Sequence, residues 1–214
     1  METTFLGALI GGISAIIAAI IGRVRWKRRK KIRTHAFMNA FQAGWGLGRL
    51  VDEWINLEGH KISPNFLGMI SQIQPYYDAL KLNVNLLDSF KKGKFPDDLV
   101  PFTFEMKSKI SAEFGMDAGY AFELGQCLVL NTKAVHRYAT DSSYRKKMEN
   151  QGMGLDNLIA PLDEPLRKLH LGKKIEKEWS DIISSIKANQ FDKDELWPTI
   201  QTWIEKVYNV CCQV

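Results

Sequence analysis

Two carboxylates in the stretch "KISAEFGMDAGY" are the residues best placed to do chemistry. If residues 101–138 form one helix, Met106, Ile110, Phe114, Ala121, Leu124, Leu128 and Val135 share its apolar face at helical spacing. At 100° per residue Asp117 falls near the middle of that face and Glu113 at its edge. An ionised carboxylate in a core is costly unless it is paired. One turn apart, the two could serve as ligands or as an acid–base pair between helices. A break of register at Gly115 or Gly119, or a salt bridge from a neighbouring Lys or Arg, is the simpler account of them.

Other chemistry is hard to find in the sequence. None of His35, His60, His136 or His170 has a Glu three residues before it, and HExxH is absent, so neither a dinuclear carboxylate bundle nor a zinc hydrolase is indicated. The three cysteines, Cys127, Cys211 and Cys212, offer neither a disulfide framework nor a structural zinc spacing. No metal and no cofactor is expected. Nucleophile signatures of the GxSxG and SxxK kind are missing. "GWGLG" at 44–48 is not a phosphate loop; its glycines are expected to permit close packing or a kink. The terminal "YNVCCQV" raises lipidation of Cys211 or Cys212, against the simpler reading of small apolar residues ending a helix.

These residues are set in a chain of uneven charge. The net charge is +5, yet eight basic side chains crowd into 23–33: Arg23, Arg25, Lys27, Arg28, Arg29, Lys30, Lys31 and Arg33. With those eight of 29 basic residues and one of 24 acidic residues placed before residue 34, the remainder carries 21 basic and 23 acidic residues, a net of −2. A surface built to wrap nucleic acid would spread its charge, so nucleic acid is not an expected partner.

The cluster follows eighteen residues, Phe5 to Gly22, that carry no charge. As a helix they measure ~27 Å, close to the hydrocarbon thickness of a bilayer. The order of apolar run then basic cluster is the reverse of a cleaved signal peptide. The sequence therefore predicts a retained transmembrane anchor over 1–22 and a basic juxtamembrane segment over 23–33 resting on anionic headgroups. By the positive-inside tendency, the chain should be single-pass, N-out, with 34–214 in the cytoplasm. Gly7, Gly11, Ala15 and Ala19 recur every fourth residue, a small-residue face on which two spans could pack.

Beyond residue 34 helical periodicity is sustained and strand alternation is not. The expected architecture is all-α: one N-terminal transmembrane helix followed by a cytosolic bundle of about five to seven helices. A first helix should run to about Leu57. A second starts from a Ser63 cap with Pro64 at its first position, and Pro75 should kink or divide it. The long carboxylate-bearing helix follows, then a loop over 139–154 with one helical turn at most, one or two short helices over 155–171, and helices over 173–188 and from about 194. The functional expectation is a membrane-anchored interaction module that presents its helical domain to a protein partner and associates with itself through the span. The alternatives are an oligomeric membrane effector assembled through the span, or a membrane-tethered enzyme using Glu113 and Asp117.

Overall fold

The computed structural model describes residues 31–57, 62–92 and 99–212. The predicted span, Gly7, Gly11, Ala15 and Ala19 within it, and the basic cluster up to Lys30 lie outside the described residues. Lys31 and Arg33 are exposed and helical. Among the described residues no helix is long and apolar enough to cross a membrane.

Contacts divide the chain into Met1–His35 and Ala36–Val214. Residues 31–35 of the first unit are helical. Among the described residues of the second unit the regular elements are all helices: α1 (31–56, from Ala36 onward in this unit), α2 (Pro64–Ala79), α3 (Leu86–Lys91), α4 (Leu99–Phe114), α5 (Met116–Thr140), α6 (Ser142–Asn150), α7 (Leu155–Leu169), α8 (Lys173–Lys187) and α9 (Lys193–Cys212).

The helix count exceeds the expected five to seven, for three local reasons. Gly115 takes φ 101°, a left-handed value open to glycine, and splits the expected 101–138 helix into α4 and α5. Lys81 takes φ 55° and closes α2 before α3 begins. The segment expected to be a loop forms α6, because the Asp141 carboxylate caps it, accepting from the Ser143 and Tyr144 amides at 2.9 and 3.0 Å. Those amides also hold the Asp141 carboxyl below the usual carboxylate range, with the Tyr144 amide foremost. Pro75 does not divide α2, which runs through it to Ala79. One missing N–H near the end of a helix is tolerated when Phe66, Ile70, Ile73 and Tyr77 are all buried by tertiary packing. The Ser63 cap is present, its hydroxyl accepting from the Phe66 amide at 3.1 Å.

Helix α5 is the axis of the unit, packing against α4, α6, α7 and α9. Its other face lies directly on α1, where the glycines of "GWGLG" find their role. A Cβ on Gly44 would stand 1.8 Å from the Phe122 carbonyl oxygen, and one on Gly48 2.9 Å from that of Gln126. From the other side, a Cβ on Gly125 would stand 2.3 Å from the Phe41 carbonyl oxygen. The two backbones touch, which only glycine allows on both helices. Gly46 points elsewhere, against the Ile73 side chain of α2. Around this crossing Phe41, Leu47, Leu50, Phe122, Leu124 and Leu128 are fully or almost fully buried. Trp54, Phe66 and Phe90 form an aromatic knot joining α1, α2 and α3, with ring centroids 5.0–5.5 Å apart. At the far end Trp179 stacks on Trp203 at 4.5 Å, pinning α8 to α9.

Candidate functional site

The two carboxylates singled out from the sequence lie on separate helices, both exposed. Glu113 is exposed near the end of α4 and receives a hydrogen bond from exposed Lys81 at 3.2 Å. Asp117 is exposed in the first turn of α5. The positive φ at Gly115 breaks the single-helix register that would have put Asp117 in the apolar stripe. Ala118 and Ala121 enter the core instead.

A half-buried ion pair that the sequence did not single out lies deeper. Lys107 on α4 donates to Glu123 on α5 at 2.6 Å, both side chains only about a fifth exposed. The ammonium also sits 4.3 Å from the centre of the Tyr120 ring, a favourable cation–π arrangement. Burial lifts the Glu123 carboxyl above the usual range, and Lys107 pulls in the opposite direction. Nearby, buried Gln126 accepts from the Thr103 hydroxyl at 2.8 Å. Burial pushes the Cys127 thiol up to about 12, so at neutral pH it is a protonated core thiol and not a nucleophile. This group joins α4 to α5. In sequence its only trace is a Lys and a Glu sixteen residues apart.

The C-terminal cysteines belong to the fold. Cys211 is fully buried and its thiol pushed up to about 12 by burial. Cys212 is half-buried, and the Gln42 amide of α1 donates to its sulfur at 2.9 Å and to the Tyr208 hydroxyl at 2.8 Å. Of the histidines, His136 lies 5.1 Å from Trp197, ring to ring, and burial lowers its pKa. Among the described residues no three His, Cys, Asp or Glu side chains gather as a metal site would require.

A cleft of about 780 Å³ is framed by α1, α2, α5 and α9. Each helix lends it one stripe. Helix α1 gives Trp45, Arg49 and Glu53 at successive turns, and α9 gives Trp197, Gln201 and Glu205 in the same way. Between them lie Met69, Val129 and Ile204. On α2, Gly68 is exposed, and nothing lies within 4 Å of where its Cβ would stand. On the rim Asp52 and Lys133 are paired with each other. Arg49, Glu53 and Glu205 have no ion pair among the described residues. Polar groups that converge beside aromatic and aliphatic surface make this cleft a candidate binding site. Sequence periodicity marked Trp45 and Trp197 as helix-face residues, but their meeting across one cleft depends on how α1 and α9 pack.

Comparison of the chain with protein-family models, with curated proteins and with solved structures finds no match.

Proposed function

We propose that this chain is a membrane-tethered interaction module: the N-terminal span holds it to a bilayer, and the helical body docks a protein partner in the cleft between α1, α2, α5 and α9. The observation that carries this reading is the cleft itself. It combines two half-buried indoles with charges of both signs that have no ion pair among the described residues. Tryptophan and arginine are over-represented among the side chains that dominate protein–protein binding. The tether is supported by the step from eighteen uncharged residues to eight bases within eleven. That step also favours a cytoplasmic body.

Two measurements test the reading. The full chain should stay in the membrane pellet through alkaline carbonate washing and be freed only by detergent, whereas a chain lacking residues 5–22 should be recovered without detergent. Release of the full chain by carbonate would remove the tether. A Trp45→Ala/Trp197→Ala variant should lose the partners that co-purify with the wild type while keeping its helical circular dichroism. Unchanged partners would remove the cleft. A second reading, self-assembly through the span, is favoured by the four-residue repeat of Gly7, Gly11, Ala15 and Ala19. It requires that Gly11→Leu abolish cross-linked oligomers in detergent.

A further inference from the structure

We propose that the corner between α7 and α8 rests on an anionic lipid surface, so that the helical body docks on the bilayer as well as being tied to it. The proposal rests on the tether reading above, and its test separates the two.

Bases crowd this corner. Residues 167–174 read "RKLHLGKK", which holds Arg167, Lys168, Lys173 and Lys174 and no acid. All four are exposed, and none forms an ion pair among the described residues. The acids nearest in the chain, Glu164 and Glu176, lie about one turn back from the tip along each helix. At the other end of the same helical hairpin Lys187 is neutralised by Asp156 at 2.7 Å. Helix electrostatics accounts for only half of the corner. Arg167 and Lys168 close α7, where cations are favoured, but Lys173 and Lys174 open α8, where they are disfavoured. A negative surface facing the corner turns that cost into a gain.

Packing places the corner at the end of the unit where the chain enters. Gly44 meets Phe122 and Gly48 meets Gln126, so α1 and α5 run parallel. Tyr120 donates to Glu164 and Asn131 to the Leu158 carbonyl, so α7 runs against α5. Trp179 donates to Asp163, and Lys187 pairs with Asp156, so α8 runs against α7. The α7–α8 turn therefore shares its end of the unit with Ala36 of α1 and Met116 of α5. Both α1 and α7 pack on α5, so at ~8–10 Å between packed axes the corner lies within about 20 Å of Ala36 across the end. Ala36 follows Arg33, the last of the eight clustered bases, by three residues. Asp78, Glu113 and Asp117 also lie toward this end, against Lys81 and the four corner bases, which leaves five bases, three acids and a net charge of +2. Of these, Lys81 and Glu113 are paired with each other.

Shape and charge favour a lipid surface. The corner is the exposed tip of a helical hairpin and can rest on a plane, whereas a nucleic-acid strand calls for a basic groove along its backbone. The cytoplasmic leaflet carries anionic lipid, and each base held near it raises occupancy by about fivefold.

The test places the full chain in vesicles of phosphatidylcholine alone or of phosphatidylcholine mixed with phosphatidylserine. Flotation reports attachment, and lysine acetylation read by mass spectrometry reports what faces the lipid. Lys173 and Lys174 should be acetylated about fivefold more slowly on the phosphatidylserine vesicles. Exposed Lys146 and Lys147 of α6, at the opposite end, should not change. Raised salt should remove the difference, and so should Arg167→Gln/Lys168→Gln, whose exposed positions leave the fold intact, as circular dichroism will check. Flotation on both vesicles with equal acetylation rates would keep the tether and overturn the corner. Flotation on phosphatidylserine vesicles alone, weakened by the double variant, would uphold the corner and remove the span. Slow acetylation that persists in the variant and in raised salt would overturn a contact made by charge. Equal rates on both vesicles, with Lys173 and Lys174 slowed instead by a DNA duplex, would assign the corner to nucleic acid and overturn the proposal.

Discussion

Replacing Gly44 by alanine sets two forces against each other, and the structure says which prevails. Helix propensity alone favours the change by about 1 kcal/mol. At this position the new Cβ would stand 1.8 Å from the Phe122 carbonyl oxygen and 2.7 Å from its carbonyl carbon. Non-bonded heavy atoms settle at roughly 3.5 Å, so α1 and α5 must separate by about 1.5 Å. The neighbouring obstacle is backbone and cannot rotate aside as a side chain would. A gap of even 0.5–1 Å forfeits a quarter to a half of each dispersion contact, and the crossing is lined by fully buried Phe41, Leu47, Phe122 and Leu124. Overpacking of this kind costs ~1–3 kcal/mol and sometimes more. A backbone clash between two central helices belongs at the upper end, about 3 kcal/mol, so after the propensity gain the net loss should be about 2 kcal/mol. At ~2–4 °C per kcal/mol for a domain of this size, the melting temperature should fall by roughly 4–8 °C. The matched control is Gly68→Ala, also helical but open to solvent. It should gain ~0.5–1 kcal/mol. Thermal melts of the full chain followed by tryptophan fluorescence, which reports the packing of Trp45 and Trp54, measure both. If Gly44→Ala were as stable as Gly68→Ala, the α1–α5 backbone contact would be wrong.

Lys107→Met leaves Glu123 half-buried without its partner and should cost about 2–3 kcal/mol, somewhat below the loss for a fully buried pair. Because burial already raises the Glu123 carboxyl, its contribution to stability is present below the unfolded pKa and is lost as pH rises through the raised folded value. Removing Lys107 raises that value further, so the deficit should be largest near neutral pH and narrow on acidification toward pH 5. Denaturation at both pH values checks this, and a pH-independent deficit would contradict it. Thiol labelling of the folded protein should modify Cys212 first, with Cys127 and Cys211 reacting only on unfolding, as expected of buried thiols pushed up to about 12. Mass spectrometry of the modified peptides gives the order. Glu113→Gln and Asp117→Asn, both at exposed positions, should each change stability by less than about 0.5 kcal/mol, which the same melts will show.

Local chemistry was legible wherever the deciding atoms are close in sequence. The Ser63–Pro64 start of α2, the amphipathic α8 and the α9 stripe of Leu196, Ile200, Trp203 and Val207 all appear where periodicity and capping place them. The Asp141 cap of α6 was legible in principle, since its partners lie two and three residues on. Asp117 was legible only as a choice between a polar site on one long helix and a break of register at Gly115, and the structure shows the break. Periodicity assumes one continuous helix, and a single glycine at φ 101° resets the phase of everything after it. The sequence does not state whether Gly115 uses that freedom; packing of α4 against α5 decides it.

What the chain alone determined is therefore its helical class, most of its helix-starting signals and the separation of its positive charge from a slightly acidic body. Each follows from interactions within a few residues or from simple composition. Tertiary structure decided which glycines bring backbones together, which Lys and Glu are buried as a pair, and which tryptophans frame a cleft. Those outcomes turn on how residues far apart in sequence are brought together: Gly44 and Phe122, Lys107 and Glu123, Trp45 and Trp197. A helical pattern gives the face a side chain occupies, but only packing says what that face meets.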